Sequence, residues 1–218
     1  MNAAERLKSA GAYVEWLRLA IHERRVPATL RARAALSCFA ICQEHHHAIV
    51  VLIEGRLFAA SFVLLRAAFE ALVRGEWLAL CATDQQVEKF LRGKEPRKID
   101  ILLQRLEREP AFSEGVLSDL KRKHWKALCA YAHTGGLHVQ RWNTEEAIEP
   151  SYDPAEVDAV LFFTEVIASL SVFGFATVVD DDALALSVLE QVKHRSHEAQ
   201  PFAAPDVRQP AARSGARR

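Results

Sequence analysis

Arg66, Glu70 and Arg74 recur at intervals of four, so a helix stacks all three on one face. A guanidinium is permanently charged and presents a rigid fork of donors, which suits a phosphate or carboxylate. The same spacing also lets Glu70 pair with Arg66 one turn away and simply pin two helices together, since a charge on an apolar helix is costly unless paired. Both readings stay open on spacing alone. The second stretch is Tyr131-Ala132-His133-Thr134-Gly135-Gly136-Leu137-His138. Imidazoles titrate near neutrality and can donate or accept a proton, and glycines let a ligand approach the backbone. The plainer reading makes Gly135-Gly136 a helix C-cap and His133 a helix-terminal cation.

A third stretch holds Cys38, Cys42, Glu44, His45, His46 and His47. Cys38, Cys42 and His45 or His46 share a helical face, but a di-iron bundle needs a second Glu-x-x-His step and further glutamates, and the sequence has no such second step. Cys129 and His133 stand one turn apart as a thiol and a base, without the third group that orients such a pair. No metal and no cofactor is therefore assigned. Cys38, Cys42, Cys81 and Cys129 read as buried thiols in helical patterns. Phosphate-binding glycine loops, Gly-x-Ser-x-Gly elbows and His-Glu-x-x-His motifs are absent from the sequence.

The elements that must position these groups are helices. The chain has 218 residues, enough for one domain with a real core, and at 50% hydrophobic it is not a disordered or collagen-like chain. Lysine and arginine total 28 and aspartate and glutamate total 28, so composition announces no nucleic-acid or membrane partner. The first six residues lack an apolar signal core, and the charge-free run Val166 to Val179 is shorter than the ~20 residues a bilayer requires. A cytoplasmic protein without a membrane span is expected.

Apolar residues recur at helical spacing throughout, which predicts an all-α single-domain bundle of about six to eight helices. Helices are expected over Ala3 to Arg25, Pro27 to Ile53 and Arg56 to Cys81, the last apolar nearly all round and so central. Thr83 to Gln86 form a capping box for a short helix, followed by helices over Pro96 to Glu109 and Ser113 to Ala132. The Gly135-Gly136 pair ends the latter, and a loop runs to Tyr152. Asp153-Pro154 starts a long apolar helix to Val179, and Asp180 to Asp182 cap a last one to His194. The domain is expected over 1–197. Beyond it, 198–218 carries three prolines and four arginines with little apolar surface, which predicts a disordered tail. Apolar faces left uncovered in one chain predict a homodimer.

Two blocks carry a resemblance. Arg66-x-x-x-Glu70-x-x-x-Arg74-Gly75-x-Trp77, with Cys81-Ala82-Thr83-Asp84, and then Lys123 to Arg141 with Ala132-His133-Thr134-Gly135-Gly136, resemble a bacterial all-helical family defined as a domain of unknown function. The resemblance covers Leu36 to Val179. More distantly the chain is similar to HEPN-like bundles, which include ribonucleases of toxin and phage-defence systems. Active members carry Arg and His separated by four to six residues, and no Arg here has a His at that spacing.

Two functions follow as expectations. In one, a non-enzymatic binding module recognises an anionic ligand or protein partner. In the other, a metal-independent HEPN-like ribonuclease cleaves RNA, with Arg66 stabilising phosphate while His133 and His138 exchange a proton with the substrate. Arg66, His133 and His138 take the catalytic roles, and Glu70, Arg74, Tyr131, Thr134, Gly135, Gly136 and Arg141 the binding roles.

Overall fold

The structure is a computed structural model that describes the backbone over residues 2–94 and 98–198 and side chains as far as Arg195. Among the described residues all regular structure is helical: nine α-helices, one 3-10 turn at Pro110–Phe112, and a single isolated bridge between Asn143 and Ile148. The ninth helix arises because the stretch expected as a loop before Tyr152 contains a short helix. The tail expected over 198–218 falls, except for Glu198, outside the described residues.

Helix ends follow the side chains able to satisfy the first free amides. Asn2 and Glu5 form a reciprocal capping box for α1, Ala3–Ile21. Helix α2 spans Leu30–Glu54, opening three residues later than expected at Pro27, and is capped by Thr29, whose hydroxyl accepts from the Ala32 amide. Helix α3 is Phe58–Leu80, and α4, Asp84–Leu91, carries the Thr83/Gln86 box expected from sequence. Helices α5, Ile99–Leu106, and α6, Val116–Ala132, come next, then the short α7, Gly136–Gln140. Asp153 accepts from the Ala155 amide at 2.8 Å and Pro154 occupies the first turn of α8, Pro154–Val179. Asp181 accepts from the Leu184 amide to cap α9, which runs from Asp182 to Glu198, past the expected end at His194.

Helices α2, α3 and α8 form the centre, and α1, α5, α6 and α9 pack around them. Phe39, Phe62, Leu65, Phe69, Leu72 and Ile167 are almost fully excluded from water, each contributing about 1.5–3 kcal/mol through burial. Two glycines make the α2–α3–α8 contact close. A Cβ on Gly75 would sit 2.5 Å from Phe39 Cε1, and one on Gly174 would sit 2.6 Å from Phe39 Cζ and nearer still to Glu76 Oε1. Glu76 is thus a carboxyl inside the core, only 5% exposed. Burial pushes it up to about 8.

Helices α2 and α8 are each long and apolar enough, by length and composition, to cross a membrane. Within the bundle 78% of the apolar window of α8 and 44% of that of α2 is buried.

Candidate anion-binding site

Helix α6 lies against α3 because its apolar face needs a core partner. Phe69 meets Trp125 with ring centroids 6.3 Å apart, and Phe62 meets Tyr131 edge-on at 5.0 Å. These two contacts fix the rotation of α6 and bring its outer edge beside the charged stripe of α3. There Glu70 accepts from Arg66 Nε and from Arg74 Nη1, both at 2.8 Å. The Arg66 guanidinium carbon lies 4.9 Å from the centre of the Trp125 ring, and the Lys121 ammonium lies 4.7 Å from it. Lys121 also pairs with Asp100 at 2.7 Å. The Arg66 Nη1 reaches His133 Nε2 at 2.6 Å.

Two guanidiniums sharing one carboxylate leave a surplus positive charge at this rim. The stripe is half-buried: side-chain exposure is 26% for Arg66, 24% for Arg74 and 17% for Glu70. The apolar setting expected for Glu70 is therefore corrected to a rim that water reaches. Burial alone would raise the Glu70 carboxyl, but the bonds from Arg74 and Arg66 outweigh it and hold the group below its ordinary value. A rigid guanidinium face with a spare cation is suited to an oxyanion.

The turn that presents His133 differs from the expected glycine cap. The left-handed residue is Thr134, with φ +52°, while Gly135 is extended and becomes the N-cap of α7. Glycine is needed at 135 for space: a Cβ there would sit 3.1 Å from both Cα and O of Ala130. The Gly135 amide donates to the Ala130 carbonyl at 2.6 Å, closing the turn tightly on α6. Gly136 opens into free space as the first residue of α7.

Arg66, Glu70, Arg74 and His133 are thus brought together, with Thr134 and Gly136 exposed beside them in the chain. The other assigned residues are not at the surface. Tyr131, His138 and Arg141 are 1%, 6% and 7% exposed, and His138 Nδ1 contacts the Tyr131 carbonyl at 3.1 Å. The Tyr131 hydroxyl donates to Glu156, and Arg141 grips the same carboxylate through Nε at 2.6 Å and Nη2 at 3.2 Å. The second imidazole of the proton-exchange scheme is enclosed by the bundle. Tyr131 and Arg141 serve Glu156, a carboxylate in the first turn of α8 whose partners helical spacing does not indicate.

A second buried cluster was also not foreseen. Glu165 on α8 holds Arg6 of α1 and Arg195 of α9, and Arg195 stacks 4.2 Å from the Tyr13 ring centre. Arg6 and Arg195 lie in polar stretches and Glu165 in a largely apolar helix, far apart in sequence, so no local spacing signals the pairing. Around Cys38 to His47, burial pushes the Cys38 thiol up to about 11, and burial holds His46 down at about 3. Among the described residues no three His, Cys, Asp or Glu side chains gather as a metal site would require.

Fold and site together define an all-helical bundle with a cationic, aromatic rim between two of its helices. The chain belongs to a family of unknown function, DUF6988, whose model matches residues 39–200 and so takes in α3, α6 and the whole rim. No curated protein and no solved structure matches the chain.

Proposed function

We propose that the chain is a binding module that recognises an anionic group, a phosphate or carboxylate of a ligand or protein partner, at the Arg66–His133 rim. The observation that carries this reading is the Arg66 guanidinium itself. Glu70 fixes its Nε, Trp125 supports its plane, and Nη1 meets an exposed imidazole. A cation held this way loses little side-chain entropy on binding. Arg74 supplies a second guanidinium about two turns further along the same stripe.

Titration with inorganic phosphate, followed by the ring resonances of the nine histidines, tests it. The expected result is a saturable shift of His133 that disappears in Arg66→Ala. Shifts spread evenly over all histidines, or a His133 response that survives Arg66→Ala, would reject the reading.

A metal-independent ribonuclease of HEPN-like type is the second reading, favoured by the direct approach of a guanidinium to an imidazole. With His138 enclosed, His133 is the one imidazole of the pair open to substrate, so it must both take the 2′-hydroxyl proton and supply one to the leaving oxygen. Cleavage of single-stranded RNA in excess chelator, lost in His133→Ala, would support it. No cleavage by the parent protein at high concentration would remove it.

A further inference from the structure

We propose that the cleft between α1 and α8, closed by the α2–α3 turn and by Arg195 of α9, is a second ligand site, taking a small amphipathic monoanion: one carboxylate head on an apolar body. The cleft has a volume of about 760 Å³ and shares no lining residue with the Arg66 rim. Clefts of ~300–1,000 Å³ are the size that encloses most of a small organic ligand.

Its floor supplies the head group. Glu165, 3% exposed, accepts from Arg6 Nη1 and Nη2 at 2.8 and 3.2 Å and from Arg195 Nη2 and Nε at 2.7 and 3.2 Å. Arg6 Nε donates to Asp158 at 2.5 Å, and Arg195 Nη1 donates to the Ser9 hydroxyl at 3.3 Å. A guanidinium carries five N–H donors, about three of which each arginine spends here, leaving each with donors to spare. These guanidiniums are already desolvated and fixed, which makes them good receptors for a carboxylate.

The charge balance limits the head to one negative charge. Arg6, Arg56 and Arg195 among the lining residues are matched by Glu54, Asp158 and Glu165, so the cleft has no net positive charge to hold a polyanion, and a single carboxylate is held by the spare N–H donors instead. The walls supply the body's partner: Ile53, Phe58, Leu161 and Phe162 present an apolar surface from three helices. Without a charged head a ligand leaves the spare donors unmatched, and without an apolar body it leaves the walls wetted.

Calorimetric titration of the full chain with decanoate, and separately with decanol, tests the proposal. With the Arg66 rim occupied by saturating phosphate, decanoate is expected to bind at one saturable site, with decanol about tenfold weaker or more, a difference of about 1.4 kcal/mol. Val157→Trp fills the cleft from a half-exposed wall position and should abolish decanoate binding with an unchanged circular dichroism spectrum. Arg195→Gln, which keeps a polar side chain and removes the charge, should weaken decanoate more than decanol. Arg66→Ala should leave decanoate affinity as it was, which separates this site from the rim. The proposal is overturned by the absence of saturable decanoate binding, by equal affinity for decanol, by binding that survives Val157→Trp, or by binding lost in Arg66→Ala.

Discussion

Arg66 Nη1 lies 2.6 Å from His133 Nε2, so two residues 67 positions apart in sequence meet at the surface. A guanidinium has donors only, so in this contact Arg66 donates and the imidazole nitrogen accepts. Because the contact is exposed, it adds little to stability. Arg66→Ala and His133→Ala are each expected to change the unfolding free energy by less than about 1 kcal/mol. Both should remove phosphate binding, and the double variant should bind no worse than either single one, since the two groups act as a unit. Urea unfolding and phosphate titration on the three variants check both halves.

Glu70 neutralises two guanidiniums at once. Glu70→Ala leaves Arg66 and Arg74, each one turn from position 70, without their shared counter-charge, and with the stripe half in water a loss of about 1–2 kcal/mol is expected. The group's folded value is depressed, so its contribution is present above about pH 4.5 and is lost as pH falls through the lower folded value. Acid unfolding midpoints of parent and Glu70→Ala should therefore converge at low pH.

Glu156 is a stronger case because its partners are buried. Arg141→Ala leaves a carboxylate held by the Tyr131 hydroxyl alone, with side-chain exposure of 7%. A destabilisation of about 3–5 kcal/mol is expected. Arg141→Ala combined with Glu156→Gln should recover part of it in thermal melts, because the stranded charge is gone.

Glu76 gives the bundle a pH dependence of opposite sign to that of Glu70. The folded chain keeps its proton up to about pH 8, whereas the unfolded carboxyl releases it near 4.5. Unfolding is therefore increasingly favoured as pH rises between those values, at up to about 1.4 kcal/mol per pH unit. Glu76→Gln should flatten the stability profile over that window and be the more stable protein at its upper end. A parent protein whose urea midpoint does not move over the window would contradict this.

Gly174→Ala is expected to destabilise despite alanine's helix propensity advantage of about 1 kcal/mol. The added methyl meets Phe39 and Glu76 together. If the clash is the cause, Phe39→Leu should recover stability in Gly174→Ala while costing stability in the parent, as denaturant unfolding of the four proteins would show.

The helices were legible from sequence because their determinants are local. Asp153-Pro154 opens α8, the Thr83/Gln86 box opens α4, and the four-residue spacing of Arg66, Glu70 and Arg74 yields the ion pairs found. The meeting of the Arg66 helix with the His133 helix was also readable, since Trp125 and Tyr131 needed a core partner. What could not be read was which buried acid meets which base. Glu156 and Glu165 sit on one helix nine residues apart, yet one is answered from Arg141 and the other from Arg6 and Arg195. Helical periodicity says which face a residue occupies and nothing about the helix opposite. The left-handed step at Thr134 was hidden for a different reason: the neighbouring glycines are the residues that usually take it, and Gly135 is required instead for its lack of a side chain.

Glu165 receives Arg6 from 159 positions earlier and Arg195 from 30 positions later, so one carboxylate ties the first helix to the last. The two terminal helices consequently cannot fray on their own: peeling α1 away strips α9 of a shared counter-charge, and the reverse. Hydrogen exchange in α1 and α9 should rise and fall together. Because the clasp joins residues 159 and 30 positions apart, it is expected to close late in folding.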